Sequence, residues 1–172
     1  IYHNIAKVPI TKNKSLFTAV NEVGTENLLK AAKINNIKKI IYISSSAVFG
    51  MPKKVPILET DERNPIEAYG LSKKKGEDIC FNYIENEGLD ISIIRPRTIL
   101  GENRLGIFSI LFDWINTGKD IPILNNGENF YQFIHINDLN EATYKSSLIS
   151  GSNTFNIGAD NYCSMHETIT SA

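Results

Sequence analysis

Lys38-Lys39-Ile40-Ile41-Tyr42-Ile43-Ser44-Ser45-Ser46 is the stretch from which the fold is read. Four apolar, mostly β-branched residues suit a buried strand, a basic turn leads into it, and three serines close its carboxyl end. On the amino-terminal side, Leu16, Val20, Val23, Leu28, Leu29 and Ala32 recur at three- and four-residue steps, which predicts a helix over 15–34 stopped by Asn35-Asn36. On the other side, 50–66 carries Gly50, Pro52, Pro56 and Pro65 and reads as a loop long enough to serve a function. A second helix is predicted over 67–87, with Glu67 near its start and Gly88 just past its end. A strand over 90–95 follows and ends at Pro96. Strands alternating with helices of this length imply parallel strands joined by right-handed crossovers, an α/β fold.

Farther out the pattern loosens. Residues 1–6 read as a short buried strand, followed by a polar connection with Pro9, Thr11, Asn13 and Lys14. An apolar helix with Trp114 is expected over 105–117, ended by Gly118. Short strands are expected at 121–124 and 130–135 around the turn Asn125-Asn126-Gly127. Asn137 or Asp138 is expected to cap a helix running to Leu148. A strand at 154–157 and a helix capped by Ser164 complete the chain. We therefore expect two parts: 1–100 from a nucleotide-binding sheet, and 101–172 mixing a smaller lobe with the last strand of that sheet. The chain opens at Ile1 inside an apolar run and closes inside an apparent helix, so a portion of a longer protein is expected.

Composition removes several function classes. The chain has 172 residues, with 18 Lys and Arg against 19 Asp and Glu, a net charge of −1. That balance argues against a dedicated nucleic-acid binder and against a polybasic membrane-surface protein. No apolar run approaches the ~20 residues of a membrane span. Cys80 and Cys163 form no disulfide framework and no CxxC pair, which points to a reducing, cytoplasmic setting. His3, His135 and His166 share no metal-ligand spacing, so no metal site is expected.

The chemistry-bearing stretch is Tyr69-Gly70-Leu71-Ser72-Lys73. Residues at i and i+4 of a helix share a face one turn apart. A free tyrosine titrates near ~10, and a fixed ammonium beside it favours the phenolate. The pair can therefore shuttle a proton at a hydroxyl or ketone. Ligands of open α/β sheets bind outside the carboxyl ends of the strands. A serine hydroxyl from 44–46 could there hold the substrate oxygen. Lys74 and Lys75, by contrast, are expected to face solvent.

The sequence resembles the extended short-chain dehydrogenase/reductases, in particular the NAD-dependent nucleotide-sugar epimerase/dehydratase family. His3-Asn4-Ile5-Ala6 is similar to the family's H-x-A-A strand end, and Asn21-Glu22-Val23-Gly24-Thr25-Glu26-Asn27-Leu28-Leu29 to its N-V-x-G-T-x-N-L-L helix. Ser44-Ser45-Ser46-Ala47-Val48-Phe49-Gly50 resembles S-S-x-x-V-Y-G, and Glu59, Asp61, Glu62, Pro65 and Tyr69 to Lys73 follow the E-x-D-E…P…Y-x-x-S-K run. Arg95-Pro96 through Gly101 resembles R-P-x-x-x-x-G, 133–139 resembles F-I-H-V-x-D-L, and 155–158 resembles Y-N-I-G. Seven segments keep the family's order.

The resemblance implies a partial Rossmann-like parallel sheet flanked by helices, with part of a smaller substrate-binding lobe. It implies a catalytic set of Ser45, Tyr69 and Lys73: Tyr69 as acid/base, Lys73 lowering its pKa and bonding the nicotinamide ribose, Ser45 polarising the substrate oxygen. Ala6, Asn21, Ser44, Pro96 and Arg97, with Tyr69 and Lys73, fall where the family lines its cofactor, NAD or NADP. Ser45, Thr98 and Tyr131 fall at substrate positions; many relatives carry Asn and Arg where this chain has Thr98 and Tyr131. The family's dehydratases place an acidic pair after the catalytic hydroxyl, where this chain has Ser46 and Ala47, so an epimerase or reductase is expected. The glycine-rich phosphate loop does not occur in these residues. The expected substrate is a nucleotide sugar; a small-molecule ketone reductase and an inactive fragment lacking dinucleotide binding are the alternatives. The resemblance also implies a homodimer through the helices at 15–34 and 67–87.

Overall fold

The computed structural model describes residues 1–9, 15–102 and 107–171. Thr11, Asn13 and Lys14 of the polar connection, the start of the helix expected from Leu105, and Ala172 lie outside the described residues.

The centre is a parallel sheet of four strands in the order β1-β2-β3-β7, formed by β1 (Tyr2–His3), β2 (Ile40–Ile43), β3 (Ile91–Pro96) and β7 (Thr154–Ile157). Ile40, Ile41, Tyr42, Ile91, Ile93 and Ile94 are all fully buried, as expected of a parallel sheet covered on both faces. Side chains alternate between those faces. Ile40, Tyr42, Ile91 and Ile93 pack with Leu29 and Ala32 of α1 (Gly24–Ile34) and with Cys80 and Tyr83 of α2 (Ala68–Glu87). Ile41 and Ile94 pack on the other face against Leu139 of α4 (Ile136–Leu148) and Ile134 of β6 (Phe133–His135). The chain is therefore α/β, and its carboxyl-terminal part contributes both a strand and a covering helix to the same sheet.

Beyond the sheet, β4 (Thr98–Leu100) pairs with β6 in parallel, and β5 (Phe130–Tyr131) pairs with β8 (Cys163–Ser164) antiparallel. Helix α3 spans Ile107–Asn116 and α5 spans Met165–Thr170. Ser164 caps α5 in a capping box with Glu167.

Several expectations are corrected. The strand expected over 1–6 is only Tyr2–His3, because β2 offers partners at Ile41 and Tyr42 and the chain then turns toward Asn21, which takes the Lys7 backbone. The helix over 15–34 is π-helical from Phe17 to Val23 before it becomes α1. Residues 121–124 form no strand; a 3-10 turn, Leu124–Gly127, occupies the end of that stretch, and Asn126 and Gly127 both have positive φ. The strand expected over 130–135 divides at Gln132, whose amide donates to the Ala159 carbonyl. The cap of α4 is His135, whose Nδ1 accepts from the Asn137 N–H, not Asn137 or Asp138. β3 does end at Pro96, as expected, with Pro96 itself paired opposite Ile157.

Candidate active site

Tyr69, Lys73 and Glu77 follow one another at four-residue steps and so share one face of α2. Two glycines let that face approach the sheet. A Cβ on Gly70 would lie 2.5 Å from the Ala47 carbonyl oxygen, in the 3-10 turn Ser46–Phe49 that follows β2. A Cβ on Gly76 would lie 2.1 Å from the Tyr42 hydroxyl. Ser72 completes the local frame: its hydroxyl donates to the Tyr69 carbonyl at 2.7 Å and accepts from the Asn21 amide at 2.9 Å.

Lys73 is 2% exposed. Its ammonium donates to the Ile43 carbonyl at 2.6 Å and sits 4.4 Å from the centre of the Tyr42 ring. Burial lowers its pKa to about 8. Ser45, half-buried, caps the 3-10 turn: its Oγ accepts from the Ala47 N–H at 3.2 Å, which leaves its own proton to donate. Tyr69 is half-buried and meets Phe17 edge-on at 6.2 Å. Lys75 is exposed and pairs with Glu22 at 3.2 Å, while Lys74 is half-buried.

Ser44 departs from expectation. Continuing the alternation of β2, it points with Ile40 and Tyr42 toward α2, and its hydroxyl donates to Glu77 Oε1 at 2.5 Å. Glu77 is fully buried and also accepts from Arg95 through Nε at 2.9 Å and Nη2 at 2.8 Å, and from Arg63 at 3.0 Å. Arg95 Nη1 donates to the Glu59 carbonyl, and the Glu59 carboxylate accepts from the Asn156 N–H. The functional reading of the sequence missed this cluster. Its signal was Arg95, the one charge in a buried strand, in line with Ile91 and Ile93.

Asn21 lies in the π-helical segment, and its amide bonds both backbone groups of Lys7 besides Ser72. It thus pins the connection after β1 to α2. Ala6 is half-buried just beyond β1. Pro96 is buried at the end of β3; Arg97, half-buried, donates from Nη1 to Ser46 Oγ at 3.3 Å. Thr98 pairs opposite Phe133, and Tyr131 packs on Phe133 and Phe108 at 5.4 and 5.7 Å. The structure therefore brings Ser45, Tyr69 and Lys73 to the junction of β2 and α2, and gathers Thr98 and Tyr131 around Phe133. A cavity of about 290 Å³ opens elsewhere, in the 50–66 loop, lined by Phe49, Met51, Lys53, Lys54 and Asp61 but by none of the expected site residues. Among the described residues, no three His, Cys, Asp or Glu side chains gather as metal ligands, and no helix is long and apolar enough to cross a membrane.

His3 lies under the site. Thr25 Oγ1 donates to the Asn21 carbonyl at 2.8 Å and lies 3.0 Å from His3 Nε2, so it accepts the Nε2 proton of a neutral imidazole. Burial, with the Lys73 ammonium second, lowers the His3 pKa to about 4. The unfolded chain binds a proton near ~6.5 that the folded chain refuses. Stability is thus full above that pH and falls as the pH drops toward 4, by up to about 3 kcal/mol. Urea midpoints between pH 7.5 and 4.5 should fall more steeply for the native protein than for His3→Asn; parallel slopes would count against it.

A sequence profile described as the NAD dependent epimerase/dehydratase family matches residues 4–158. The uncharacterized protein y4nG of Sinorhizobium fredii is 46% identical over 169 residues, covering 98% of this chain and 43% of that protein. Among solved structures, the UDP-glucuronic acid 4-epimerase of Bacillus cereus, in complex with NAD, is 27% identical with a TM-score of 0.87, covering 99% of this chain and 59% of that one. The UDP-N-acetylglucosamine 4-epimerase of Methanobrevibacter ruminantium, in complex with UDP-N-acetylmuramic acid, is 25% identical with a TM-score of 0.89, covering 98% and 57%. The chain spans about half the length of the relatives it matches.

Proposed function

Since this chain belongs to the NAD-dependent epimerase/dehydratase family, we propose that the whole protein is an NAD-dependent nucleotide-sugar epimerase and that these residues hold its acid/base centre. The observation that carries the proposal is the buried Lys73 ammonium one helical turn from Tyr69, on a helix packed against the turn that Ser45 caps. The residues suit the nicotinamide end of the cofactor. Ala6 offers only a methyl group beyond β1, Arg97 lies at the end of β3, and Lys73 supplies a fixed cation. NAD, when bound, supplies the hydride acceptor and donor.

Tyr69 takes the proton from a sugar hydroxyl as that carbon is oxidised and returns it on reduction. Lys73 favours the phenolate by its charge. Ser45 donates its free hydroxyl proton to the same oxygen, which orients the ring carbon. Ser46 and Ala47, where an acid would be needed to eliminate water, favour epimerisation over dehydration. Thr98 and Tyr131 face the sugar in this reading, with 1–100 forming the cofactor side and 101–172 a lobe interleaved with the sheet. A reducing cytoplasm fits the two free cysteines, and a homodimer through the helices at 15–34 and 67–87 fits the exposed Val23 and Leu71.

The test is to supply the whole protein with NAD and a panel of nucleotide sugars and to follow ring stereochemistry by proton NMR. Inversion of one ring carbon is expected, C4 being the carbon named for the two solved relatives. Turnover of free ketones alone would replace the proposal with a small-molecule reductase.

A further inference from the structure

We propose that Glu77 is a positioning residue for Ser45 and Lys73, acting through the Ser44 hydroxyl; the proposal rests on the assignment of those two residues to the acid/base centre. Lys73 and Glu77 are one turn apart on α2, and each grips the end of β2 at a neighbouring residue. Lys73 holds the Ile43 carbonyl at 2.6 Å and Glu77 holds the Ser44 hydroxyl at 2.5 Å. The two bonds close a ring: helix turn, ammonium, Ile43, Ser44, carboxylate, helix turn. The next residue on the strand side is Ser45, so the ring sets both the ammonium and the direction of the Ser45 hydroxyl.

The carboxylate is well placed to be rigid. Four donors converge on its two oxygens: Ser44 Oγ and Arg95 Nε on Oε1, Arg95 Nη2 and Arg63 Nη1 on Oε2. Arg63 is tied in turn to Asp78 at 2.7 Å. A hydrogen bond from a neutral hydroxyl to a buried carboxylate is charge-assisted and short. The Ser44 N–H also donates to the Ile94 carbonyl at 2.7 Å, so that residue is held at backbone and side chain alike.

Glu77 also acts on the Lys73 charge. Around the ammonium stand Cys80 and Glu77 of α2, His3 of β1 and Tyr42 of β2, with Arg95 of β3 and Arg63 beyond Glu77, and Tyr69 follows one turn back on the same helix. Burial holds Lys73 at about 8, and the Glu77 charge opposes that fall.

Two variants of the whole, NAD-loaded protein test the proposal. Glu77→Gln keeps the shape and removes the charge; Ser44→Ala removes the tether and leaves the Arg95 pair intact. Both should lower kcat about 10- to 100-fold with KM for the nucleotide sugar unchanged, the signature of misplaced catalytic groups. Only Glu77→Gln should move the alkaline limb of the pH profile to lower pH. Wild-type kcat in both variants would overturn the proposal, whatever their melting temperatures. Should Glu77→Gln fail to fold, Ser44→Ala decides alone. Should the wild-type protein turn over no nucleotide sugar, the functional reading fails, and crystal structures of the two variants decide the positioning role: displacement of the Ser45 hydroxyl and of the Lys73 ammonium from the Ile43 carbonyl supports it, and both groups unmoved overturns it.

Discussion

In the epimerase proposed above, Tyr69→Phe is expected to lower kcat on a nucleotide sugar by about 10²–10⁴-fold, the usual contribution of a positioned acid/base. The substitution removes one oxygen and keeps the ring that meets Phe17 edge-on at 6.2 Å. The Lys73 ammonium keeps its bond to the Ile43 carbonyl. Gly70 and Ser72, which seat the first turn of α2, are untouched. Folding and NAD affinity should therefore change little, and the loss should sit in kcat rather than KM. Steady-state kinetics with a fluorescence titration of NAD make the comparison. A variant with the native rate would remove Tyr69 from the reaction, and one that lost NAD binding as well would make it a binding residue.

The parts of this site legible in the sequence are those set by local period. Tyr69 and Lys73 share a face because a helix repeats every ~3.6 residues, and α2 spans Ala68–Glu87 within a residue of its predicted bounds. Ser45 stands at the end of β2 because apolar residues stop at Ile43. The illegible parts depend on which surfaces meet. Glu77 and Arg95 are 18 residues apart and on different elements, so nothing local pairs them. The common face of Ser44 and Arg95 is inferable, since Ile91, Ile93 and Arg95 alternate in step with Ile40, Tyr42 and Ser44. The family motif puts Ser44 among the cofactor-lining residues, while strand alternation turns its hydroxyl inward to Glu77. β4 escaped notice because three residues carry too little pattern, and β6 gives it a partner from 35 positions later. His135 as a cap was equally hidden, since an imidazole is not among the usual N-terminal acceptors.

The second large effect is on stability. Arg95→Met is expected to reduce the unfolding free energy by about 3–5 kcal/mol, because it leaves a buried carboxylate short of its main partner. Arg95 is 2% exposed and Glu77 fully buried, so solvent screens neither. The guanidinium meets both carboxylate oxygens, holds the Glu59 carbonyl of the 50–66 loop, and lies 5.0 Å from the Phe49 ring centre. Methionine replaces the packing on Phe49 but none of the donors. Glu77 would keep only Ser44 and Arg63, and the Glu59 carbonyl would lose its donor. Domains of this size are stable by only about 5–15 kcal/mol, so the midpoint in urea should fall steeply. The double variant Glu77→Leu with Arg95→Met separates the cost of an orphaned charge from the worth of the pair. With both charges gone, Arg63 retains Asp78, and stability should recover part of the way to the native value. If the single variant cost no more than an exposed pair, about 1 kcal/mol or less, water would reach Glu77. Ser44 would then be held by a solvated carboxylate, too loosely to orient Ser45.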